Sequence, residues 1–239
     1  MSTGSVLAMN KKTYYFMALL WAYYTWLREH NNLPFQEDLK GKHIYLTGAG
    51  SGLGRLLALK LAKQGAKLTL SDINEQGLNE TCEMIYRETK VIHNICKIKL
   101  DVSSKDEVIK SAEFARENFG DVDIIINNAG IVQGRKIMDC NDDLFHKVMV
   151  VNCESHYWII KQFLPAMIKK NSGKIVSIAS MAGVMGQPWM TDYSASKFAD
   201  VGMMESLRLE LKRDGYNIKC LTVCPFYINT GMFDGIDSG

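Results

Sequence analysis

The chain has few of the residues that mark several common classes of protein. Its six cysteines include no CxxC pair, and its five histidines are scattered along the 239 residues. The cysteines therefore predict small core residues in a reducing compartment rather than a disulfide scaffold, and no metal site is expected. A net charge of +2 gives no electrostatic case for a nucleic-acid partner. Internal repeats and low-complexity linkers are not found, which argues against a solenoid or an array.

What the sequence does contain is a regular alternation of strand-like and helix-like segments. The strands are predicted at 42–47, 66–71, 95–100, 123–127, 174–179 and 217–223. The helices are predicted at 53–64, 75–89, 104–118, 142–170 and 193–212. Several strands are nearly continuous apolar runs, as expected for a parallel sheet that is covered on both faces. The alternation predicts a doubly wound α/β domain at 41–239, with ligands at the carboxyl ends of its strands.

A glycine-rich stretch follows the first predicted strand directly. Residues 47–54 read TGAGSGLG and lead into the predicted helix at 53–64. Glycines let the backbone approach a pyrophosphate, and a helix N-terminus offers unpaired N–H groups. The spacing is GxxxGxG rather than GxGxxG, and a plain turn between strand and helix is the alternative interpretation.

The second predicted strand ends at an acidic residue, Asp72. A carboxylate at this position can accept hydrogen bonds from the ribose hydroxyls of NAD, and it would repel the 2′-phosphate of NADP. Ser51 agrees with this prediction, because no Lys or Arg stands just before Gly52 to attract a phosphate. Arg55 is the nearby cation, and we expect it to be a solvated helix residue. The predicted cofactor is NAD, with NADP disfavoured.

A tyrosine and a lysine stand four residues apart in the sequence YSASK, at 193–197. In a helix this spacing places Tyr193 and Lys197 on one face. A free tyrosine has a pKa of about 10, and a neighbouring cation favours the phenolate. The pair therefore predicts an acid/base group, whereas the alternative is a partly buried ring beside a solvated amine.

The N-terminal region contains an uncharged aromatic segment at 13–27. As a helix it would be about 22 Å long, which is short for a bilayer core of about 30 Å. Its tyrosines and tryptophans suit the membrane interface. We predict that residues 1–30 anchor the protein to a membrane or lipid-droplet surface and that residues 31–40 form a linker. The alternative is an amphipathic helix that packs on the domain or on a second subunit.

Taken together, these motifs resemble the short-chain dehydrogenase/reductase family over about residues 41–233. The matching pieces are TGAGSGLG at 47–54, Asp72, Asp101, Val102, NNAG at 127–130, Asn152, Ser180 and YSASK at 193–197. The segments at 149–158, 163–168 and 224–233 are similar to the membrane-bound retinol dehydrogenase and 17-beta-hydroxysteroid dehydrogenase subgroup.

The family resemblance implies a fold, an activity and a location. The fold would be a Rossmann-type parallel sheet with six strands in the order 3-2-1-4-5-6. The activity would be an NAD(P)-dependent interconversion of a lipophilic alcohol and its aldehyde or ketone, with retinol or a hydroxysteroid as substrate. The protein would be a homodimer that buries faces of the helices at 142–170 and 193–212. It would lie on the endoplasmic reticulum membrane or on lipid droplets, with its catalytic domain facing the cytosol.

The resemblance also implies roles for individual residues. Tyr193 would be the catalytic acid/base, and Lys197 would lower its pKa and reach the nicotinamide ribose. Ser180 would hydrogen-bond the substrate oxygen, so that Ser180 and Tyr193 form the substrate contacts. Asn152 would hold a water that links Lys197 to solvent. The implied cofactor contacts are Gly48, Ser51, Gly52, Leu53, Gly54, Asp72, Asp101, Val102, Asn128, Ala129, Gly130, Tyr193, Lys197, Pro225 and Thr230.

The chain departs from the family pattern at two places. Phe226 follows Pro225 where the family has glycine, and the retinoid and steroid subgroup tolerates an aromatic residue there. The family also continues past the position of Gly239 with substrate-covering helices and a seventh strand. We therefore expect either a fragment or a sheet with an exposed edge.

Several interpretations stay open at this level. The apolar residues between Ser180 and Tyr193 would form a substrate loop or would pack on a dimer partner; they are Val184, Met185, Trp189 and Met190. A non-catalytic, NAD-binding membrane or lipid-droplet scaffold is the alternative function. A soluble carbonyl reductase that uses NADPH is a third, which Asp72 and the aromatic N-terminal segment both oppose.

Overall fold

Six parallel strands form the centre of the described part of the protein, residues 38–228 and 231 of a computed structural model. Their order across the sheet is 3-2-1-4-5-6, which confirms the predicted order. The strands are β1 His43–Thr47, β2 Lys67–Asp72, β3 Ile95–Lys99, β4 Ile124–Asn127, β5 Gly173–Ile178 and β6 Ile218–Val223. Each predicted strand boundary is within one residue of the observed one.

Helices connect successive strands and cover the sheet. They are α1 Gly52–Lys63, α2 Glu75–Thr89, α3 Lys105–Phe119, α4 Asp142–Met149, α5 Ser155–Lys169 and α6 Thr191–Arg213. The residues that precede α2, α3 and α4 cap these helices, because the side chain of each accepts a hydrogen bond from a backbone N–H of the first turn. They are Asn74, Ser104 and Asn141. Such caps satisfy backbone N–H groups that have no partner inside the helix.

Two apolar cores lie on opposite faces of the sheet. Successive strand residues point to alternate faces, so Tyr45 and Ile125 enter one core while Leu46 and Ile126 enter the other. The first core also contains residues of α3, α5 and α6, and the second contains residues of α1 and α2. Burial on both faces explains why the strands read as almost unbroken apolar runs.

The prediction of one uninterrupted helix over 142–170 was wrong. A π-helical turn, Val150–Glu154, separates α4 from α5. The turn contains Asn152, whose side chain is fully buried and bonds to Ile131 and Ser196 elsewhere in the fold. These long-range bonds do not affect the apolar periodicity of the segment, so the sequence gives no sign of the interruption.

The predicted N-terminal anchor at 1–30 lies outside the described residues, as does most of the linker at 31–40. Among the described helices, none is long and apolar enough to cross a membrane. From Leu39 onward, the described residues belong to one compact unit.

Candidate active site

A cleft of about 570 Å³ opens at the carboxyl ends of the strands. This is where a doubly wound sheet binds its ligands. Every predicted cofactor contact within the described residues lines the cleft, from Gly48 after β1 to Pro225 after β6. Ser180 lines it too, whereas Thr230 lies outside the described residues. Residues that are far apart in sequence thus share one cavity because their strands are adjacent in the sheet.

The glycine loop is packed too closely for side chains at three of its positions, Gly48, Gly50 and Gly54. Gly48 has a φ of 66°, and a Cβ there would lie 2.8 Å from the Asn128 amide nitrogen. A Cβ on Gly54 would overlap the carbonyl oxygen of Gly48. The Asn128 amide also donates to the Thr47 carbonyl at 2.9 Å, which ties the loop to the end of β4. The loop therefore presents bare backbone to the cleft at the start of α1, an arrangement that fits a pyrophosphate.

Asp72 supports the glycine loop from the end of β2. Its Oδ2 accepts a hydrogen bond from the Gly50 N–H at 2.8 Å, and its Oδ1 accepts one from the Asn74 N–H at 2.8 Å. A Cβ on Gly50 would lie 2.9 Å from the Asp72 carboxyl carbon. Gly50 was not among the predicted cofactor contacts, although it is one of the four glycines in the motif. Asp72 lines the cleft with lone pairs left over for ribose hydroxyls.

The prediction that Arg55 is a solvated helix residue was wrong. Its guanidinium forms a 2.9 Å ion pair with Glu80 of α2 and bonds to the Gly50 carbonyl. Its Nε donates to the Thr81 hydroxyl at 3.0 Å. Arg55 therefore braces the glycine loop against α2.

Hydrogen bonds also hold the loop after β3, and they tie the loop after β4 to the end of β1. The Asp101 carboxylate accepts bonds from the Ser103 N–H at 2.9 Å and from its hydroxyl at 2.6 Å. Partial burial works against its ionisation, but the Ser103 bonds outweigh burial and hold the pKa of Asp101 below its usual value. The Thr47 hydroxyl accepts the backbone N–H groups of Asn128 and Ala129, each at 3.0 Å. These contacts fix the walls of the cleft.

Tyr193, Lys197 and Ser180 come together on one side of the cleft. Tyr193 is 4% exposed and Lys197 is 2% exposed, both on the first turns of α6. Ser180 follows β5, caps a short 3₁₀ turn at Met181–Gly183, and is hydrogen-bonded to Tyr193. The Lys197 ammonium donates to the Ile178 carbonyl at 2.8 Å. The three side chains predicted for acid/base chemistry thus line the same cavity as the glycine loop.

Burial dominates the electrostatics of this group. It raises the pKa of Tyr193 above its ordinary value, and the hydrogen bond with Ser180 opposes the rise. Burial also lowers the pKa of Lys197, which the nearby Asp200 carboxylate opposes. The pKa of Tyr193 thus shifts in the direction opposite to that expected from the lysine alone, because the loss of hydration destabilises the phenolate more than the neighbouring groups stabilise it.

Asn152 ties the wall of the cleft to α6. Its Oδ1 accepts a bond from the Ile131 N–H at 2.8 Å, and its Nδ2 donates to the Ile131 carbonyl at 2.9 Å. The same Nδ2 donates to the Ser196 hydroxyl at 3.0 Å. The amide thus pairs with a loop backbone much as a second strand would. Its implied role in holding a water stays a prediction.

The predicted substrate loop divides into exposed and buried parts. Val184 is 55% exposed and Met185 is 51% exposed, whereas Met190 packs against Tyr193 and is 2% exposed. Phe226, which lines the cleft together with Tyr193, is 66% exposed. The cleft near Tyr193 therefore presents an apolar side chain to solvent.

The motifs at successive strand ends match one family description along most of the chain. The model of the short chain dehydrogenase family matches residues 42–239. The chain belongs to the short-chain dehydrogenase family. Residues 42–239 include every position predicted for the cofactor and for acid/base chemistry.

Curated members of the family include similar proteins from vertebrates. The chain is 43% identical over 220 residues to "Retinol dehydrogenase 10-B" of Danio rerio, covering 84% of this chain and 66% of the relative. It is 46% identical over 209 residues to "Epidermal retinol dehydrogenase 2" of Homo sapiens, covering 85% of this chain and 66% of the relative. These similarities confirm the predicted resemblance to the retinol dehydrogenase subgroup. The chain spans about two thirds of the length of these relatives.

Solved structures agree with the fold. A short chain dehydrogenase/reductase from Burkholderia phymatum in complex with NAD is 34% identical, with a TM-score of 0.78 over 83% of this chain and 70% of the other. Levodione reductase is 30% identical, with a TM-score of 0.77 over 81% of this chain and 74% of the other.

Proposed function

We propose that the protein is a nicotinamide-dependent oxidoreductase that interconverts a lipophilic alcohol and its aldehyde or ketone. One observation carries the proposal. Tyr193, Ser180 and Lys197 line the same cavity as the glycine loop and Asp72. A proton-transfer group beside a dinucleotide cradle is the arrangement that alcohol oxidation requires. The similarity to proteins named as retinol dehydrogenases supports the same activity.

The residues of the cleft fit a nicotinamide dinucleotide. The backbone at Gly48, Gly52 and Gly54 would hold the pyrophosphate at the start of α1. Asp72 would accept bonds from the ribose hydroxyls, and Asp101 and Val102 would flank the adenine. When bound, the nicotinamide supplies the hydride acceptor in oxidation and the hydride donor in reduction.

The chain's own side chains would handle the proton. In alcohol oxidation the Tyr193 phenolate takes the proton of the substrate hydroxyl as the hydride leaves the adjacent carbon. The Ser180 hydroxyl bonds the substrate oxygen and orients it. The charged Lys197 ammonium, held on the Ile178 carbonyl, favours the phenolate during the transfer. Asn152 would link the cleft wall to α6, through its hydrogen bonds to Ile131 and to Ser196.

NAD is the proposed cofactor in preference to NADP. The Asp72 carboxylate lines the cleft, where it would repel a 2′-phosphate. Arg55 is the nearest cation of α1 to the glycine loop, and Glu80 already pairs with its guanidinium. A phosphate would therefore meet a negative charge without a free cation from Arg55 to offset it.

A lipophilic substrate and a membrane location complete the proposal. Phe226 lines the cleft, and Val184 and Met185 are exposed on the segment between Ser180 and Tyr193. Apolar side chains at these positions suit a retinoid or a steroid better than a polar alcohol. The aromatic segment at 13–27 would place the domain on the endoplasmic reticulum membrane or on a lipid droplet. The domain division stays as predicted, with an anchor at 1–30, a linker at 31–40 and a catalytic domain at 41–239.

A homodimer is proposed from the outer faces of α5 and α6. Tyr157 of α5 is 51% exposed, and Phe198 and Leu209 of α6 are 48% and 50% exposed. Large apolar side chains on two neighbouring helices suit burial against a second copy of the chain. Light scattering on the purified domain would give its mass, and a monomer at all concentrations would contradict the dimer.

The test of the activity is direct. The purified chain is incubated with NAD and all-trans-retinol, or with a hydroxysteroid, while NADH absorbance is followed. Substrate-dependent NADH formation is expected. Cofactor binding measured by NADH fluorescence, without turnover of either alcohol, would instead support the non-catalytic scaffold. Turnover only with NADP would favour the carbonyl reductase.

A further inference from the structure

A cluster of three buried polar side chains begins one helical turn after Lys197, and none of the three lines the cleft. Asp200 comes three residues after Lys197 on α6, and His156 and Ser177 reach it from α5 and β5. Asp200, His156 and Ser177 are all 0% exposed. The proposed reaction gives none of them a role.

The Asp200 carboxylate is fixed by two hydrogen bonds. The Ser177 hydroxyl donates to Oδ2 at 2.6 Å, and His156 Nδ1 donates to Oδ1 at 2.9 Å. Burial opposes the charge on Asp200, but His156, Lys197 and Ser177 outweigh it and hold the pKa of the carboxyl below its usual value. The carboxylate is therefore ionised in the interior, where a lone charge is costly unless an opposite charge lies nearby.

This cluster is not a nucleophilic triad. Ser177 is fully buried on β5, and its hydroxyl proton is directed at Asp200 rather than at a substrate. His156 Nδ1 lies 3.2 Å from the Ser177 oxygen, but that nitrogen already bonds to the carboxylate. A base that activates a nucleophile needs a free ring nitrogen facing an exposed hydroxyl.

Lys197 precedes Asp200 by one turn of α6, which places the two side chains on the same side of the helix, and both are buried. We propose that Asp200, held by His156 and Ser177, is the buried counter-charge that keeps the Lys197 ammonium charged in the cleft wall. Asp200 is a positioning residue, since it acts on the reaction through Lys197. The inference rests on the proposed function for its consequence in catalysis.

Three other ionisable groups lie near Lys197. Cys153 belongs to the π-helical turn, and burial followed by the Asp200 charge raises the pKa of that thiol to about 11. Burial also raises the pKa of Tyr193, which is on the same helix. Cys224, after β6, is the third neighbour. Asp200 is the carboxylate among these groups, and two hydrogen bonds hold it in place.

The decisive experiment follows the charge of Lys197 itself. Protein labelled with ¹³C at the lysine ε-carbons is titrated by NMR, and the Lys197 signal is assigned by its loss in Lys197→Gln. In Asp200→Asn, which keeps the size of the side chain, Lys197 should lose its proton at a pH lower by about one unit. Asp214→Asn, a change at the exposed end of the same helix, should leave the Lys197 midpoint where it is. An equal midpoint in Asp200→Asn and in the unaltered chain would overturn the proposal.

A second variant provides a test in case Asp200→Asn does not fold. His156→Asn removes the imidazole that donates to Asp200 but leaves the Asp200 carboxylate. The pH midpoint of the Lys197 titration should therefore be equal to, or higher than, the midpoint in the unaltered chain. A fall of about one pH unit in this variant would contradict the assignment to Asp200.

The NMR result does not depend on turnover, so it is separate from the test of the function. If the unaltered chain oxidises retinol, the alkaline limit of its pH–rate profile should also fall in Asp200→Asn. A Lys197 shift in a chain that does not turn over any alcohol would support the counter-charge and refute the enzyme. Alcohol turnover together with an unchanged Lys197 midpoint in Asp200→Asn would support the enzyme and refute the counter-charge.

Discussion

The Lys197 ammonium lies 5.7 Å from the ring centroid of Tyr193, one helical turn away on α6. The cation therefore faces the aromatic ring within cation–π distance, while it donates a hydrogen bond to the Ile178 carbonyl. Burial raises the pKa of Tyr193 in this setting, and the hydrogen bond with Ser180 is the contact that opposes it. Both side chains line the glycine-loop cleft, as the enzymatic proposal requires.

Tyr193→Phe is expected to remove the acid/base group without changing the shape of the cleft. The variant should lose about 10²–10⁴-fold in kcat, the range that a general acid or base contributes. NADH binding, measured by fluorescence, should be retained. Tyr86→Phe is the matched control, because Tyr86 is exposed on α2, and it should turn over normally. Normal turnover in Tyr193→Phe would exclude this residue as the base.

The pH dependence of alcohol oxidation should follow the ionisation of Tyr193. Since burial raises the pKa of Tyr193, the phenolate forms only as the pH rises, and kcat/KM for oxidation should climb on the alkaline side of neutrality. Ser180→Ala removes the hydrogen bond that lowers this pKa, so the rising limb should move to higher pH. A limb that stays in place, whatever the maximum rate, would show that Ser180 does not act on Tyr193.

Gly54→Ala should abolish cofactor binding, because the new Cβ would overlap the Gly48 carbonyl oxygen and force the loop open. Gly202→Ala is the control for the same substitution within a helix. Nothing lies within 4 Å of a Cβ at Gly202, and alanine should raise the free energy of unfolding by about 0.5–1 kcal/mol. NADH titration and thermal unfolding measure the two effects. Full-strength NADH binding by Gly54→Ala would contradict the role of the loop.

Asp72→Asn should weaken the preference for NAD over NADP. The amide oxygen can still accept one backbone bond, but the negative charge that repels a 2′-phosphate is gone. Removing a repulsion of roughly 1–4 kcal/mol between charges about 4 Å apart should change the ratio of kcat/KM values by about fivefold or more. Asp106→Asn, in the first turn of α3, provides a control away from the motif. An unchanged ratio in Asp72→Asn would remove Asp72 as the selecting residue.

Asn152→Ala should destabilise the fold as well as the site. The change leaves the partly buried Ile131 N–H and carbonyl without their side-chain partner, and the full cost of about 1–3 kcal/mol for each unsatisfied buried group is an upper bound. Asn118→Ala removes an exposed amide from α3 and should change the free energy of unfolding by less than about 0.5 kcal/mol. Urea unfolding compares the two variants. Equal stability would mean that the π-helical turn does not depend on Asn152.

The strands, the family and the cleft residues could all be read from the sequence. Apolar runs such as 122–126 identify strands because a parallel sheet buries both faces, and TGAGSGLG identifies a loop because only glycine tolerates that packing. The motifs fall at strand ends, and parallel strands bring their carboxyl ends to one edge. Local patterns were therefore sufficient to predict the fold and to single out Tyr193 and Asp72, and the family resemblance added Ser180.

Tertiary structure alone decided what surrounds those residues. Three features depend on contacts between residues distant in sequence. They are the π-helical turn at Asn152, the pairing of Arg55 with Glu80, and the hydrogen bonds of Asp200 with His156 and Ser177. The sign of the Tyr193 pKa shift also depends on burial, which a YxxxK spacing does not report. Spacing along one helix determines which side chains are neighbours, whereas solvent exposure and long-range partners determine their charge.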